Sequence, residues 1–188
     1  MTPKRMLCIR HGESTFNAIA SHSRVDPLHY DARLSELGEQ QVRGAREMLR
    51  HRRVDLVVTS PLTRALQTTA GIFADHTFSP RILVEALHRE RVESSCDIGR
   101  SPSTLQDEFP SFAFDHLPDV WWHHHDRPDD RGVCVEPAEL VQSRAREFRR
   151  FLLQRPEALI AVVGHGTFFF NLIGQKLANC EVVEVALG

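Results

Sequence analysis

Met6-Leu7-Cys8-Ile9-Arg10-His11-Gly12-Glu13-Ser14-Thr15-Phe16-Asn17 is the stretch that decides the fold. Residues 5–9 form a short apolar run of strand length. They lead directly into Arg-His-Gly, and Ser14 or Thr15 behind that corner has the chemistry of a helix N-cap over 14–21. Strand, tight corner and helix make up the repeating unit of an α/β sheet. In such sheets ligands gather at the carboxyl ends of the strands, where free backbone N–H groups and the helix dipole point outward. Arginine and histidine at that corner call for an anion.

Outward from this stretch the chain alternates helix and strand. A helix is expected over 34–51, capped by Ser35, with a buried stripe through Leu37, Gln41 or Val42, Ala45, Met48 and Leu49. Strands follow at 55–59 and 81–84, separated by a helix that opens at Ser60-Pro61 and carries Arg64 one turn in. A helix over 137–153 precedes Leu159-Ile160-Ala161-Val162-Val163, whose unbroken apolarity marks a strand buried on both faces. A helix over 168–176 and a half-exposed edge strand over 181–186 complete the series. Residues 21–33 read as a loop at the site mouth. Residues 90–135 hold Pro102, Pro110, Pro118 and Pro128 and an aromatic cluster from Phe109 to Trp122. They are expected to form a cap-like insertion over the site, with one short helix at 103–108.

At 188 residues the chain suits one domain, 1–188. The net charge of −2 gives no general attraction to nucleic acid or anionic membrane. Cys8, Cys96, Cys134 and Cys180 show no paired spacing, no stretch is long and apolar enough to span a bilayer, and Met1 to Arg5 leave no room for a signal peptide. The expectation is a reduced, cytoplasmic protein, monomer or homodimer. The run His123-His124-His125 invites a metal reading, but adjacent histidines point in different directions and no Cys or carboxylate sits at ligand spacing. No metal or cofactor is expected.

Val163-Gly164-His165-Gly166 repeats the theme of the first corner, a strand ending in histidine and glycine. A parallel sheet would bring both ends to one rim. Glycine next to each histidine would let the backbone approach a ligand closely. Phosphoryl transfer asks mainly for positioning and positive charge around the equatorial oxygens. Arg10 and Arg64 supply forked donors and His165 one more. His11 would be the nucleophile, its ring kept neutral by the arginines, with one nitrogen held by a backbone carbonyl near Gly12 or Gly166.

Together with Leu34-Ser35-Glu36-Leu37-Gly38-Glu39-Gln40-Gln41, Ser60-Pro61-Leu62-Thr63-Arg64-Ala65-Leu66-Gln67-Thr68-Thr69 and Leu87-His88-Arg89-Glu90, these stretches resemble the histidine phosphatase superfamily in its phosphoglycerate-mutase-like branch. The resemblance implies a three-layer α/β/α sandwich, with a mostly parallel central sheet and one antiparallel edge strand. It implies a metal-independent phosphatase that hydrolyses a phosphomonoester, a small phosphorylated metabolite, through a phosphohistidine on His11. Glu90 matches the family's acid/base position; Glu93 and Glu85 are chemical alternatives. Ser14, Thr15 and Asn17 match secondary phosphate contacts, and Gly12 and Gly166 are further phosphate-binding candidates, Gly12 through its backbone N–H. Glu13 is expected to play a structural part, such as an ion pair with an arginine. A phosphoglycerate-type mutase, a phosphoprotein phosphatase and an inactive binding module are the competing readings; loss of Arg10, His11, Arg64 or His165 would favour the last, and all four are present. Substrate specificity is expected to reside in 21–33 and 90–135.

Overall fold

A computed structural model describes residues 4–23, 25–125 and 127–187. Strands β1 (Arg5–Arg10), β2 (Leu56–Thr59), β3 (Arg81–Val84), β4 (Leu159–Gly164) and β5 (Val182–Ala186) form one sheet in the order β3-β2-β4-β1-β5. All neighbours are parallel except β5, which runs antiparallel to β1 at the edge. The helices are α1 (Thr15–Ala20), α2 (Glu36–Leu49), α3 (Thr63–Phe73), α4 (Pro102–Glu108), α5 (Ala138–Gln154) and α6 (Gly166–Ile173).

Alternation along the strands divides the core into two layers. Met6, Cys8, Leu56, Val58, Ile160 and Val162 face α5 and α6, through Val141, Phe148, Leu152 and Phe168. Leu7, Ile9, Val57, Ala161 and Val163 face α2 and α3, through Val42, Ala45, Leu49 and Ile72. The result is the expected helix-sheet-helix sandwich.

Two expectations need correction. In α2 the buried stripe is Gly38, Val42, Ala45 and Leu49, while Leu37 and Met48 lie exposed. Gly38 belongs to it because α2 abuts the Arg-His-Gly corner: a Cβ on Gly38 would overlap the Glu13 carbonyl, and one on Gly12 would stand 2.7 Å from Gly38 O. The last helix begins at Gly166, not 168, because a carboxylate from outside the helix, Glu90, accepts its first free N–H groups. It stops at Ile173 because Gly174 takes φ +73°, the left-handed C-cap conformation.

The insertion contributes in two places. Phe112, Phe114 and Trp121 form a third apolar cluster with Leu62 and Leu66 of α3, Val84 of β3 and Leu105 of α4. Glu90, Arg91, Glu93, Ser94, Cys96 and Asp97 line the cavity at His11.

Candidate active site

The sheet order assembles the centre. β1 and β4 are adjacent and in register from Arg5↔Leu159 to Arg10↔Gly164, so His11 and His165, the next residue of each, emerge side by side. Their ring centroids are 5.2 Å apart. β2 flanks β4 on its other side and delivers Ser60, whose hydroxyl lies 2.8 Å from His165 Nε2. Arg64 comes from the first turn of α3 and is buried.

His11 is held in one tautomer. Its Nδ1–H donates to Gly12 O at 2.7 Å, which leaves Nε2 unprotonated, its lone pair accepting from Arg64 Nε–H at 3.3 Å. Burial, then Arg64 and Arg10, push the imidazole well below its usual pKa, against the smaller opposing effect of the Gly12 bond. His165 is driven well below in the same way, by burial and then by Arg64 and His11. Its Nδ1 is buried without a hydrogen-bond partner, and so is Arg10 Nε. Unpaired polar nitrogens in such a place are costly unless a ligand meets them. Arg10 itself is braced by Nη1 donating to Leu177 O at 2.7 Å.

Glu90 sits at the N-terminus of α6, accepting from Thr167 N and Phe168 N at 3.0 Å each. Burial and the nearby Asp97 raise its pKa, while the N–H groups of Thr167 and Arg91 and the charge of Arg64 oppose the rise. Glu93 lines the same cavity but is bound to Arg91 at 2.5 Å. Glu85 is elsewhere, capping the short 3-10 turn Ala86–His88 through Leu87 N.

The remaining candidates divide. Ser14 and Asn17 line the cavity and form a reciprocal capping box at the start of α1. Thr15 does not line it; its hydroxyl meets His29 Nδ1 at 3.3 Å in a separate depression. The Gly12 N–H is not directed at a ligand either, since it donates to Thr68 Oγ1 at 3.1 Å. Gly12 is required by its packing on Gly38, whereas a Cβ at Gly166 would make only an ordinary contact with the Arg10 guanidinium at 3.4 Å. Glu13 accepts from the Ser35 hydroxyl at 2.7 Å rather than pairing with an arginine. Among the described residues no three His, Cys, Asp or Glu side chains are grouped to hold a metal ion, and the four cysteines are free thiols.

Sequence reasoning missed Asp97, Asp26, Ser60 and Asn179. Asp97 accepts from Arg64 Nη2 at 2.9 Å, while Arg64 Nη1 donates to Cys96 O at 2.5 Å. Burial opposes the Arg64 charge, but Cys96, Asp97 and Glu90 more than restore it. Asp26 holds the 3-10 turn Ser95–Asp97 in place by accepting from Ser95 N and Oγ, at 2.9 and 2.5 Å. Asn179 Nδ2 donates to His11 O at 2.9 Å. None has a sequence signal of its own, because each acts through a contact between segments far apart in the chain.

The chain is 28% identical over 204 residues to phosphoglycerate mutase-like protein 1 of Arabidopsis thaliana, covering 90% of this chain and 68% of that protein. A 72-residue stretch is 38% identical to glucosyl-3-phosphoglycerate phosphatase of Mycolicibacterium vanbaalenii, covering 38% of this chain and 30% of that one. In fold it matches Bacillus stearothermophilus YhfR with a TM-score of 0.66 at 21% identity, over 96% of this chain and 90% of the other. Residues 6–182 match the family model described as histidine phosphatase superfamily (branch 1), and with the paired histidines and arginines on one rim of the sheet the chain belongs to that superfamily.

Proposed function

We propose that the protein is a metal-independent phosphomonoesterase working through a phosphohistidine on His11. The observation that carries this is the fixed His11 ring: Nδ1–H tied to Gly12 O, Nε2 unprotonated and facing Arg64. Nε2 attacks phosphorus and the P–O bond to the alcohol breaks. Arg64, Arg10 and the His165 Nδ1–H hold the equatorial oxygens as charge spreads over them. Arg64 is pre-aligned for this by Asp97 and Cys96 O.

Glu90 gives its proton to the departing alkoxide, then takes one from the water that attacks the phosphohistidine. Its raised pKa suits the first task. Hydrolysis completes the cycle and returns neutral His11.

A mutase would run the first half identically and return the phosphoryl group to a second hydroxyl. The mutase-like relative from Arabidopsis makes this the second reading. Incubation with 3-phosphoglycerate separates the two: release of free phosphate supports hydrolysis, accumulation of the 2-isomer supports transfer. The phosphatase reading is tested by phosphate release from p-nitrophenyl phosphate in the presence of a chelator. Activity is expected to persist, and His11→Ala to lose at least about 10³-fold in kcat. Equal release by the variant, or abolition by chelator, would contradict it.

A further inference from the structure

The cavity at His11 is small, about 140 Å³. It accommodates a phosphoryl group, so the alcohol portion of a substrate must extend beyond it. A second cavity of about 560 Å³ lies against the first and shares four lining residues with it: Arg10, Glu90, Arg91 and Thr167. That is a size typical of small-molecule sites. Glu90 lines both, whereas Glu93 lines only the first. A general acid must touch the oxygen that joins phosphorus to the alcohol, so the carboxyl group common to both cavities stands where the scissile bond crosses from one to the other.

The walls of the second cavity are cationic. Arg10, Arg91 and Lys176 face a single carboxyl group, Glu90, whose burial favours its neutral form. Arg91 is fixed in place by Nε donating to Glu136 O at 2.8 Å and by its ion pair with Glu93. Lys176 is exposed, lies with its ammonium 5.9 Å from the centre of the Phe170 ring, and has no carboxylate partner among the described residues. Gln142 and Asn171 add amides to the same wall. An ammonium on a flexible stem adapts to an anion whose position varies.

We infer that this second cavity binds the alcohol portion of the substrate and selects phosphomonoesters whose alcohol carries a second anionic group, held by Lys176 with Arg91. The inference rests on the phosphatase reading and refines it. It also moves selectivity away from residues 21–33 and most of 90–135, onto α5, α6 and the turn that follows α6.

The test compares 4-phosphooxybutanoate with butyl phosphate, a pair that differs by the carboxylate. The wild-type protein is expected to prefer the carboxylate ester about tenfold or more in kcat/KM, mainly through KM. Lys176→Gln is expected to bring the ratio to within about twofold, and Lys176→Arg to keep most of the preference. Equal use of both esters by the wild type, or an unchanged ratio in Lys176→Gln, would overturn the inference. A protein that turned over neither ester nor p-nitrophenyl phosphate would contradict the phosphatase reading instead. Calorimetric binding of the same two esters would then decide the subsite: tighter binding of the carboxylate ester, lost in Lys176→Gln, supports it, and equal binding overturns it.

Discussion

Glu90 shows how environment fits one carboxyl group, and not its neighbours, to the acid/base part proposed for it. Three glutamates lie within nine positions of sequence, yet only this one is set against the N-terminus of a helix and shared by both cavities. Replacing it with glutamine removes the transferable proton. Glu90→Gln is expected to lower kcat by about 10²–10⁴-fold for alkyl phosphates. The loss should be much smaller for p-nitrophenyl phosphate, whose phenolate leaves without help. Steady-state rates on the two ester types check this; an equal loss on both would point to a structural part for Glu90. At this scale the sequence was informative where chemistry and position coincide. His11, Arg10, Arg64 and His165 each end or follow a strand or open a helix, and their types alone suggest anion binding. Asp97 was invisible because its meaning comes from Arg64, 33 positions away, and nothing in residues 93–97 marks a carboxylate as buried. Ser14 and Thr15 line different cavities because a capped helix turns adjacent side chains in different directions.

At the scale of elements, the segment that bears Glu90 is fastened by a buried ion-pair cluster. Arg144 of α5 grips Glu136 with two bonds, 2.9 and 2.7 Å, and its Nη1 donates to the carbonyls of Leu87 and Arg89. Arg89 adds a bond to Glu136 at 3.1 Å. Glu136 is fully buried, and these arginines hold its carboxyl below the usual pKa in spite of that burial. Arg144→Met would leave the carboxylate poorly compensated and release two carbonyls of the 87–89 turn. A loss of about 3–5 kcal/mol in unfolding free energy is expected, and Arg144→Met/Glu136→Leu should recover a large part of it. Chemical denaturation measures both; a single variant as stable as wild type would show that the cluster does not brace the turn. The elements were mostly legible because strands of unbroken apolarity and helices with amphipathic stripes announce themselves. The aromatic rings of the insertion have no period. Which apolar surface they cover, α3 and the end of β3, depends on the sheet order and not on local pattern.

Over the whole molecule, packing two layers on a mostly parallel sheet leaves His11, His88 and His165 without solvent, as neutral rings. His88 stacks on Phe148 with centroids 4.6 Å apart and donates from Nε2 to Val163 O at 3.1 Å. Burial lowers its pKa from 6.5 to about 3. A folded-state pKa below the unfolded one makes a contribution that is present above the unfolded value and lost as pH falls through the interval. Stability is therefore expected to decline steeply between pH 6.5 and the low folded values of these histidines. Glu90 and Asp97, whose values are raised, act with the opposite sign: their contribution is full at low pH and lost as pH rises through their folded values. Each fully buried histidine adds a slope of about 1.4 kcal/mol per pH unit, and His88→Gln should reduce the measured slope between pH 4 and 6 by about that amount. Unfolding curves across that range test it; an unchanged slope would mean that His88 is not held neutral. The same packing places one ring nitrogen of His11 where a phosphoryl group must arrive, and that placement is the central claim. The direct measurement is to quench the protein during turnover of a phosphomonoester and map the covalently bound phosphoryl group by mass spectrometry. An acid-labile, alkali-stable phosphoryl group on His11, absent from His11→Ala, is the predicted result; a phosphoryl group on any other residue, or full turnover by His11→Ala, would contradict the account.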